Sequence, residues 1–182
     1  KSTMMHIIGL LDTPTEGVYL LDGQDVSKLK KNTQADLRNR KIGFVFQQFN
    51  LMPRTTVLEN LLLPTVYGDL PNRYERAEQL LKEVDLADRT THTGAQLSGG
   101  QIQRVAVARA LMMNPSLILA DEPTGNLDTK RSEEIMHLLR TINRQGATVI
   151  LITHEPEIAA YADRIITLKD GAIVADQKRK NS

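Results

Sequence analysis

Apolar and polar residues alternate along this chain in a way that predicts strands and helices in turn. Three short apolar runs, at 42–46, 117–120 and 147–153, are typical of buried strands. The run 117–120 follows Pro115 and ends at two acidic residues, and a fully apolar strand of this length is typical of the interior of a parallel sheet. The pattern therefore predicts an α/β fold.

Helices are predicted where apolar residues recur at spacings of three and four. Such stripes occur at Ala77, Leu80, Leu81 and Val84, at Val105, Ala108 and Leu111, and at Ile135, Leu138, Leu139 and Ile142. Asn72 and Thr129 are predicted N-caps, and Gly146 is predicted to end the last helix. Because the pattern stays helical from 50 to 96, we expect a helical insertion within the α/β fold.

Two Asp-Gly dipeptides, at 22–23 and 170–171, lie between short β-prone runs. Each predicts a tight turn that joins two antiparallel strands. The strands of the second hairpin are predicted at 163–169 and 172–176. The polar tail 177–182 is expected to fray.

Composition narrows the class of protein. With 182 residues the chain is long enough to bury a sizeable core, and 41% apolar with 25% charged residues is ordinary for a globular domain. The net charge of +1 provides no basic field for a nucleic-acid partner. The absence of cysteine excludes disulfides and thiolate metal sites, which fits the cytosol. Since no apolar run approaches the ~18 residues that span a bilayer, we expect membrane association only through a partner.

Two blocks near the middle of the chain carry the chemistry. The first, Leu97-Ser98-Gly99-Gly100-Gln101, directly precedes a predicted helix, whose first N–H groups and positive dipole end favour an anion. A Ser-Gly-Gly run alone is more often an ordinary loop. The run indicates an anion site only in combination with the second block, which follows it closely in the sequence.

The second block begins where Asp121 and Glu122 end the strand 117–120. The carboxyl ends of parallel strands are where open α/β sheets bind ligands, and carboxylates there suit a magnesium-nucleotide site. The pair could instead open a helix before Pro123. That alternative does not explain why two acids terminate a fully apolar strand.

In this order, the two blocks and the following Leu127-Asp128 resemble the signature motif, Walker B strand and D-loop of the ATP-binding cassette (ABC) ATPases. The resemblance covers essentially the whole chain. It implies an α/β P-loop NTPase core of the RecA-like type, a mostly parallel sheet flanked by helices with an antiparallel β flank, at 1–48 and 101–182. Residues 49–100 are implied to form a helical subdomain that ends in the signature motif.

The first residues, Lys1-Ser2-Thr3, match the end of the phosphate-binding loop G-x-x-x-x-G-K-[ST]. Taken alone, a terminal Lys-Ser-Thr is more often a solvated end. Taken with the acidic strand end, it resembles the last part of the Walker A motif, whose glycine-rich half is missing. We therefore expect this sequence to be a fragment that begins inside that motif.

The resemblance implies ATP and Mg²⁺ as cofactors and assigns roles to individual residues. Glu122 is implied to be the general base, His154 to contact the γ-phosphate, and Gln47, a better match than Gln48, to order the metal and the attacking water. The implied Mg²⁺ ligands are Ser2, Gln47 and Asp121. The implied nucleotide contacts are Lys1, Ser2, Thr3, Gln47, Ser98, Gly99, Gly100, Gln101, Asp128 and His154.

The resemblance also implies two protein partners. A second copy of the chain would complete each nucleotide site head to tail, with Ser98 of one copy at the nucleotide held by Lys1 of the other, in a two-fold dimer. An integral membrane permease subunit would hold the protein at the cytoplasmic face of the cell membrane. The apolar runs 51–53 and 61–63 are candidates for a groove that receives a partner helix, and core packing is the alternative.

Within the family, the segments 8–12, 43–47, 119–128 and 152–154 most resemble the macrolide-exporter and lipoprotein-releasing subgroup. Ile102 and Glu155 depart from the usual glutamine and aspartate. A second hypothesis is a DNA-repair or chromosome-structure ATPase, which would need a long coiled-coil insertion. The insertion here is too short for one and lacks sustained heptads. A third hypothesis stays open: the protein is an ATPase that regulates a membrane partner without transport, as in the related cell-division protein.

Overall fold

The computed structural model describes residues 2–179 and arranges them as a layered α/β unit with a helical subdomain. In chain order the elements are α1 (Ser2–Ile8), β1 (Leu20–Leu21), β2 (Gln24–Asp25), α2 (Lys31–Lys41), β3 (Ile42–Phe46), α3 (Val57–Leu62), α4 (Arg73–Glu83), α5 (Gly99–Ala110), β4 (Leu117–Asp121), α6 (Thr129–Arg144), β5 (Thr148–Ile152), α7 (Pro156–Ala159), β6 (Arg164–Lys169) and β7 (Ala172–Lys178). Short 3₁₀ turns occupy 63–66, 87–89 and 94–96.

The central sheet is parallel and has the order β3-β4-β5. Its register pairs Phe46 with Asp121 and Asp121 with Ile152, so the three strands end level with one another. This confirms the predicted α/β fold. It also brings the residues that follow each strand to one edge of the sheet.

Strand β4 is buried on both faces because layers cover both sides of the sheet. Ile118 and Ala120 pack with residues of α5 and α6, whereas Leu117 and Leu119 point to the opposite face. That alternation follows from the two-residue period of an extended strand. A strand covered on both sides needs apolar residues at every position, which explains the uninterrupted run of Leu117 to Ala120.

The helical subdomain has its own core. Its buried residues come from α3, α4, α5 and the segments just after α4 and α5, and they include the whole stripe predicted for α4. They are Val57, Leu61, Ala77, Leu80, Leu81, Val84, Leu86, Val105, Ala108 and Met112. Helix α5 also contributes Val107 to the core under the sheet. The helix that begins at the signature motif is therefore packed against both parts of the molecule.

The two predicted hairpins are present, as β1-β2 and β6-β7. The predicted fraying from residue 177 is wrong for part of the tail, because Gln177 pairs with Ile165 and Lys178 with Arg164. The N–H of Arg179 also donates to the carbonyl of Asp163 at 2.8 Å.

Two predicted N-caps are corrected. Asp128, and not Thr129, caps α6: its Oδ1 accepts from the N–H of Arg131 at 3.0 Å, and Thr129 is the first residue inside the helix. Asn72 stands at the N-cap position of α4, but its side chain makes no capping hydrogen bond there. Its backbone is left-handed (φ 58°), whereas a capping residue normally has extended φ and ψ.

The candidate groove residues divide between core and surface. Leu61 is fully buried in the helical subdomain, so the prediction that it lines a partner groove is wrong. Met52 is 48% exposed and stays on the surface. Among residues 2–179, no helix combines the length and the apolar composition that crossing a bilayer requires.

Candidate functional site at the carboxyl edge of the sheet

Glu122 lies directly after β4, and three donors hold its carboxylate. The hydroxyl of Thr153 donates to Oε2 at 3.0 Å, and the N–H of His154 donates to Oε1 at 3.0 Å. The Nδ1 atom of the His154 ring lies 2.8 Å from the same Oε1. A carboxylate oxygen accepts hydrogen bonds, so Nδ1 is the donor in this pair.

The backbone at Glu122 is in the left-handed region, with φ 45°. Its N–H donates to the carbonyl of Ile152 at 2.8 Å, and its own carbonyl accepts from the N–H of Gly125 at 3.1 Å. A non-glycine residue in this region carries strain of about 1–3 kcal/mol and persists only where its surroundings fix it. The turn after β4 therefore aims the Glu122 carboxylate toward the end of β5.

Asp121 is half-buried at the last position of β4. Burial raises the pKa of its carboxyl, the negative charge of Glu122 raises it further, and His6 of α1 acts in the opposite direction. A like charge beside the half-buried Asp121 disfavours its ionised form, and a bound cation would relieve this.

Gln47 lies in the loop after β3 and contacts the turn that follows Glu122. The carbonyl of Gln47 accepts from Nδ2 of Asn126 at 2.8 Å. A Cβ atom at Gly125 would lie only 2.5 Å from Nε2 of Gln47, so the side chain packs directly over that glycine. A larger residue at position 125 would displace the end of the Gln47 side chain.

Arg109 of α5 holds the remainder of the loop. Its guanidinium donates to the carbonyls of Phe49 at 3.0 Å and Asn50 at 2.6 Å, and both residues have left-handed backbone. Burial lowers the pKa of this arginine. The loop that carries Gln47 is therefore tied to the signature helix.

The signature block forms a helix N-terminus, as predicted. Ser98 is the N-cap of α5: its Oγ accepts from the N–H of Gln101 at 3.4 Å, and the N–H of Ser98 donates to Oε1 of Gln101 at 2.9 Å. Gln101 therefore completes a capping box. Gly99 lies near Leu127, and Gly100 is buried against Arg131 of α6, where a Cβ would lie 2.9 Å from the arginine Cδ. The signature and the D-loop residues thus pack together within one chain.

The remaining predicted site residues lie in different parts of the structure. Ser2 and Thr3 are exposed in the first turn of α1, and Lys1 lies outside the described residues. Asp128 is occupied as the cap of α6 and also pairs with Arg131 at 3.1 Å. The sheet edge brings together Gln47, Asp121, Glu122 and His154, whereas Ser98 to Gln101 belong to the start of α5.

Sequence reasoning missed two residues at this edge. Thr153 was predicted only as the last residue of a strand, yet its hydroxyl donates to the carboxylate of Glu122. Its position directly before His154 is the sequence feature that could have identified it. Gln103 of α5 is fully buried and donates to the carbonyl of Pro123 at 2.6 Å. No pattern marked Gln103, because its partners lie on other elements.

Comparisons with known proteins agree with this geometry. The family model described as ABC transporter matches residues 1–125. The chain is 54% identical to the uncharacterised ABC transporter ATP-binding protein YknY of Bacillus subtilis, over 96% of this chain and 76% of that protein. It is 52% identical to the macrolide export ATP-binding/permease protein MacB of Chlorobium luteolum, over 98% of this chain and 27% of that protein.

A solved structure of the ATP-binding cassette MJ0796, a dimer in a post-hydrolysis state bound to ADP and Pi, superposes with a TM-score of 0.86. The two chains are 46% identical, and the match covers 100% of this chain and 81% of the other. Fold and site together define an ATP-binding cassette. The chain belongs to the ABC transporter family, and it spans about a quarter of the length of its MacB relatives.

Proposed function

We propose that the whole protein binds and hydrolyses ATP and that its ATPase cycle powers an ABC transporter. The observation that carries this proposal is the Glu122 carboxylate, aimed by Thr153 and His154 at the end of a buried strand and adjacent to Asp121. Transfer of a phosphoryl group to water needs positioning and charge neutralisation more than covalent chemistry. A rigidly held carboxylate can act as the general base, which accepts the proton of the attacking water.

Each neighbouring residue has a part that fits its position. His154 fixes Glu122 through Nδ1, and its side chain is 75% exposed, so the ring is accessible to a nucleotide phosphate. Gln47 packs over Gly125, beside the turn after Glu122, where it helps to order the attacking water. Lys1, Ser2 and Thr3 contact the phosphates as the end of the phosphate-binding loop.

The residues present fit Mg²⁺. This ion takes one or two protein oxygens and completes its shell with water and nucleotide phosphates, so it needs no cluster of three acids. Residues 2–179 contain no such cluster, and the half-buried Asp121, whose charge burial and Glu122 disfavour, gains from a nearby cation. Asp121 with Ser2 and Gln47 would hold the ion. When bound, Mg²⁺ neutralises charge on the phosphates.

A second copy of the chain is the first proposed partner. The capped N-terminus of α5 presents the exposed Ser98, together with Gly99, Gly100 and Gln101, and Asp128 lies next to it through the contact of Gly100 with Arg131. These residues face the nucleotide held by the other copy in a head-to-tail dimer. The dimeric solved structures of the similar cassette MJ0796 support pairing of two copies.

A membrane permease of the macrolide-export or lipoprotein-release type is the second proposed partner. The relatives named as ATP-binding/permease proteins support it. A groove of about 690 Å³ is lined by polar and apolar residues of α2, β3, the segment 63–67 and the C-terminal end of α5. Its apolar residues include Phe44, Leu63 and the 82% exposed Tyr67, which could contact a partner helix. The permease would place the protein at the cytoplasmic face of the membrane.

The alternative function, regulation of a membrane partner by ATP without transport, uses the same site. Reconstituting the whole protein with its co-purified membrane partner in vesicles distinguishes the two. ATP-dependent movement of a solute or lipoprotein supports transport. ATPase activity that changes only the partner's state supports regulation.

The experiment that tests ATP hydrolysis compares the whole wild-type protein with Glu122→Gln. We expect the variant to bind MgATP with wild-type affinity and to turn it over about 10²- to 10⁴-fold more slowly, the usual loss for a general base. Glu157→Gln, which changes an exposed acid on α7, is the matched control and should leave turnover unchanged. Near-normal turnover in Glu122→Gln would refute its assignment as the base.

A further inference from the structure

Gln103 lies within α5, and its side chain is 0% exposed. Its Nε2 donates to the carbonyl of Pro123 at 2.6 Å and makes a longer contact of 3.5 Å with the carbonyl of Phe46. An amide nitrogen carries two N–H groups and can serve both acceptors. Turning the amide over would place Oε1 against two carbonyl oxygens, so these contacts fix its orientation.

The two acceptors occupy critical positions on the sheet. Phe46 is the last residue of β3 and precedes Gln47, whereas Pro123 directly follows Glu122. One side chain of the signature helix therefore ties together the ends of two strands. Both strands deliver residues that the proposed reaction uses.

The contact with Pro123 bears on the strained turn after β4. Glu122 has a left-handed backbone, which its surroundings must fix. The N–H of Glu122 is bound to Ile152, which fixes the preceding peptide group, and Gln103 fixes the carbonyl of the next residue. Gln103 thus holds one side of the turn that aims the Glu122 carboxylate.

Packing alone does not require an amide at this position. Within residues 2–179, Oε1 of Gln103 has no hydrogen-bond partner, and a buried polar atom in this state costs stability. Methionine would fill a similar space without that cost. The amide contributes the two contacts to strand ends, which an apolar side chain could not make.

We propose that Gln103 is a positioning residue for Glu122 and that through it the signature helix orients the general base of its own chain. This inference rests on the proposed ATPase function. Glu122, and not Gln103, meets the reacting water, and Gln103 acts only through the turn that carries Glu122.

The test is Gln103→Met in the whole protein, with MgATP as the substrate. We expect kcat to fall about 5- to 50-fold, because a misplaced catalytic group loses rate steeply, while KM stays within about twofold. The midpoint of thermal unfolding should change little, since the lost hydrogen bonds and the removed unpaired oxygen offset each other. Val105→Ala, a packing loss on the same helix, is the matched control: it should lower the unfolding midpoint and leave kcat of the folded protein within about twofold.

A second comparison separates positioning from a general structural role. In the Glu122→Gln background the positioned base is gone, so adding Gln103→Met should leave the residual single-turnover rate unchanged within about twofold. A fall by the same factor as in the wild-type background would overturn the inference, as would an unchanged kcat in Gln103→Met alone. If the methionine variant does not fold, Gln103→Asn, which withdraws the amide from both carbonyls, permits the same comparisons. A wild-type protein without ATPase activity would instead contradict the proposed function.

Discussion

Nδ1 of His154 lies 2.8 Å from Oε1 of Glu122, although 32 positions separate the two residues in the sequence. The carboxylate side chain is 18% exposed and the histidine side chain 75% exposed. The pair therefore joins a protected acid to an accessible ring. A group that binds the ring can influence the acid without reaching it directly.

Replacing His154 by alanine should slow ATP turnover by the whole protein about tenfold to a hundredfold, because Glu122 loses one of its three donors and its orientation loosens. Binding of MgATP, measured by calorimetric titration, should weaken less than turnover. His137→Ala, on the exposed side of α6, provides the control. Equal loss of turnover in the two histidine variants would contradict the role of His154.

Asp121→Asn should stabilise the fold at neutral pH while it weakens binding of MgATP. The pKa of Asp121 is raised in the folded state, chiefly by burial and then by Glu122, so its contribution to stability is present below the unfolded pKa and lost as pH rises through the folded pKa. At pH 7 the substitution should therefore raise the unfolding midpoint by about 2 °C. This gain should disappear below the unfolded pKa of about 3.9.

Thermal unfolding at pH 7 and below the unfolded pKa checks this prediction. Asp69→Asn, at an exposed position, should leave the unfolding midpoint unchanged at both pH values. A lower midpoint for Asp121→Asn at neutral pH would show that Asp121 stabilises the fold as a charged group, contrary to the raised pKa.

Asp128→Ala should lower the free energy of unfolding by about 1 kcal/mol, because α6 loses its N-cap. Thr129→Ala, the matched control at the adjacent exposed position, should change it by less than about 0.5 kcal/mol. Denaturant unfolding measures both variants. The reverse order would restore Thr129 as the cap that the sequence pattern predicted.

Mixing a Lys1→Ala protein with a Ser98→Arg protein should restore part of the ATPase activity that each lacks alone. In a head-to-tail dimer, the mixed pair contains one site in which both Lys1 and Ser98 are intact. Steady-state ATPase assays of the two variants, separately and mixed, measure this complementation. Full activity of Ser98→Arg by itself would exclude a composite site.

The sequence alone predicted the three buried strands and the residues that emerge from their ends. Strand β4 could be predicted because burial on both faces requires apolar residues at every position, which leaves a clear signature in Leu117 to Ala120. The apolar stripes of α4 and α6 were equally visible, since a helix that buries one face repeats its apolar residues at a fixed spacing. The motif order then led to the family, which the comparisons confirmed.

Local chemistry was less certain when two neighbouring residues could serve the same purpose. Asp128 and Thr129 both cap helices well, and their order in the sequence does not say which has the extended backbone of a cap. Leu61, Leu62 and Leu63 form one apolar run, but only packing against α4 and α5 determines that Leu61 is buried. The tail from 177 looked polar, yet pairing with β6 extends β7 to Lys178.

The sequence by itself determined the secondary-structure elements and the chemical groups at their ends, because the periodicity of apolar residues and the composition are local properties. Tertiary structure alone decided which of these groups meet. The bonds from Thr153 and His154 to Glu122 depend on the level ends of β4 and β5, and the reach of Gln103 to Pro123 depends on how α5 packs under the sheet. Such contacts join residues far apart in the chain, and a hydrogen bond depends on distance and direction in space, which no sequence pattern records.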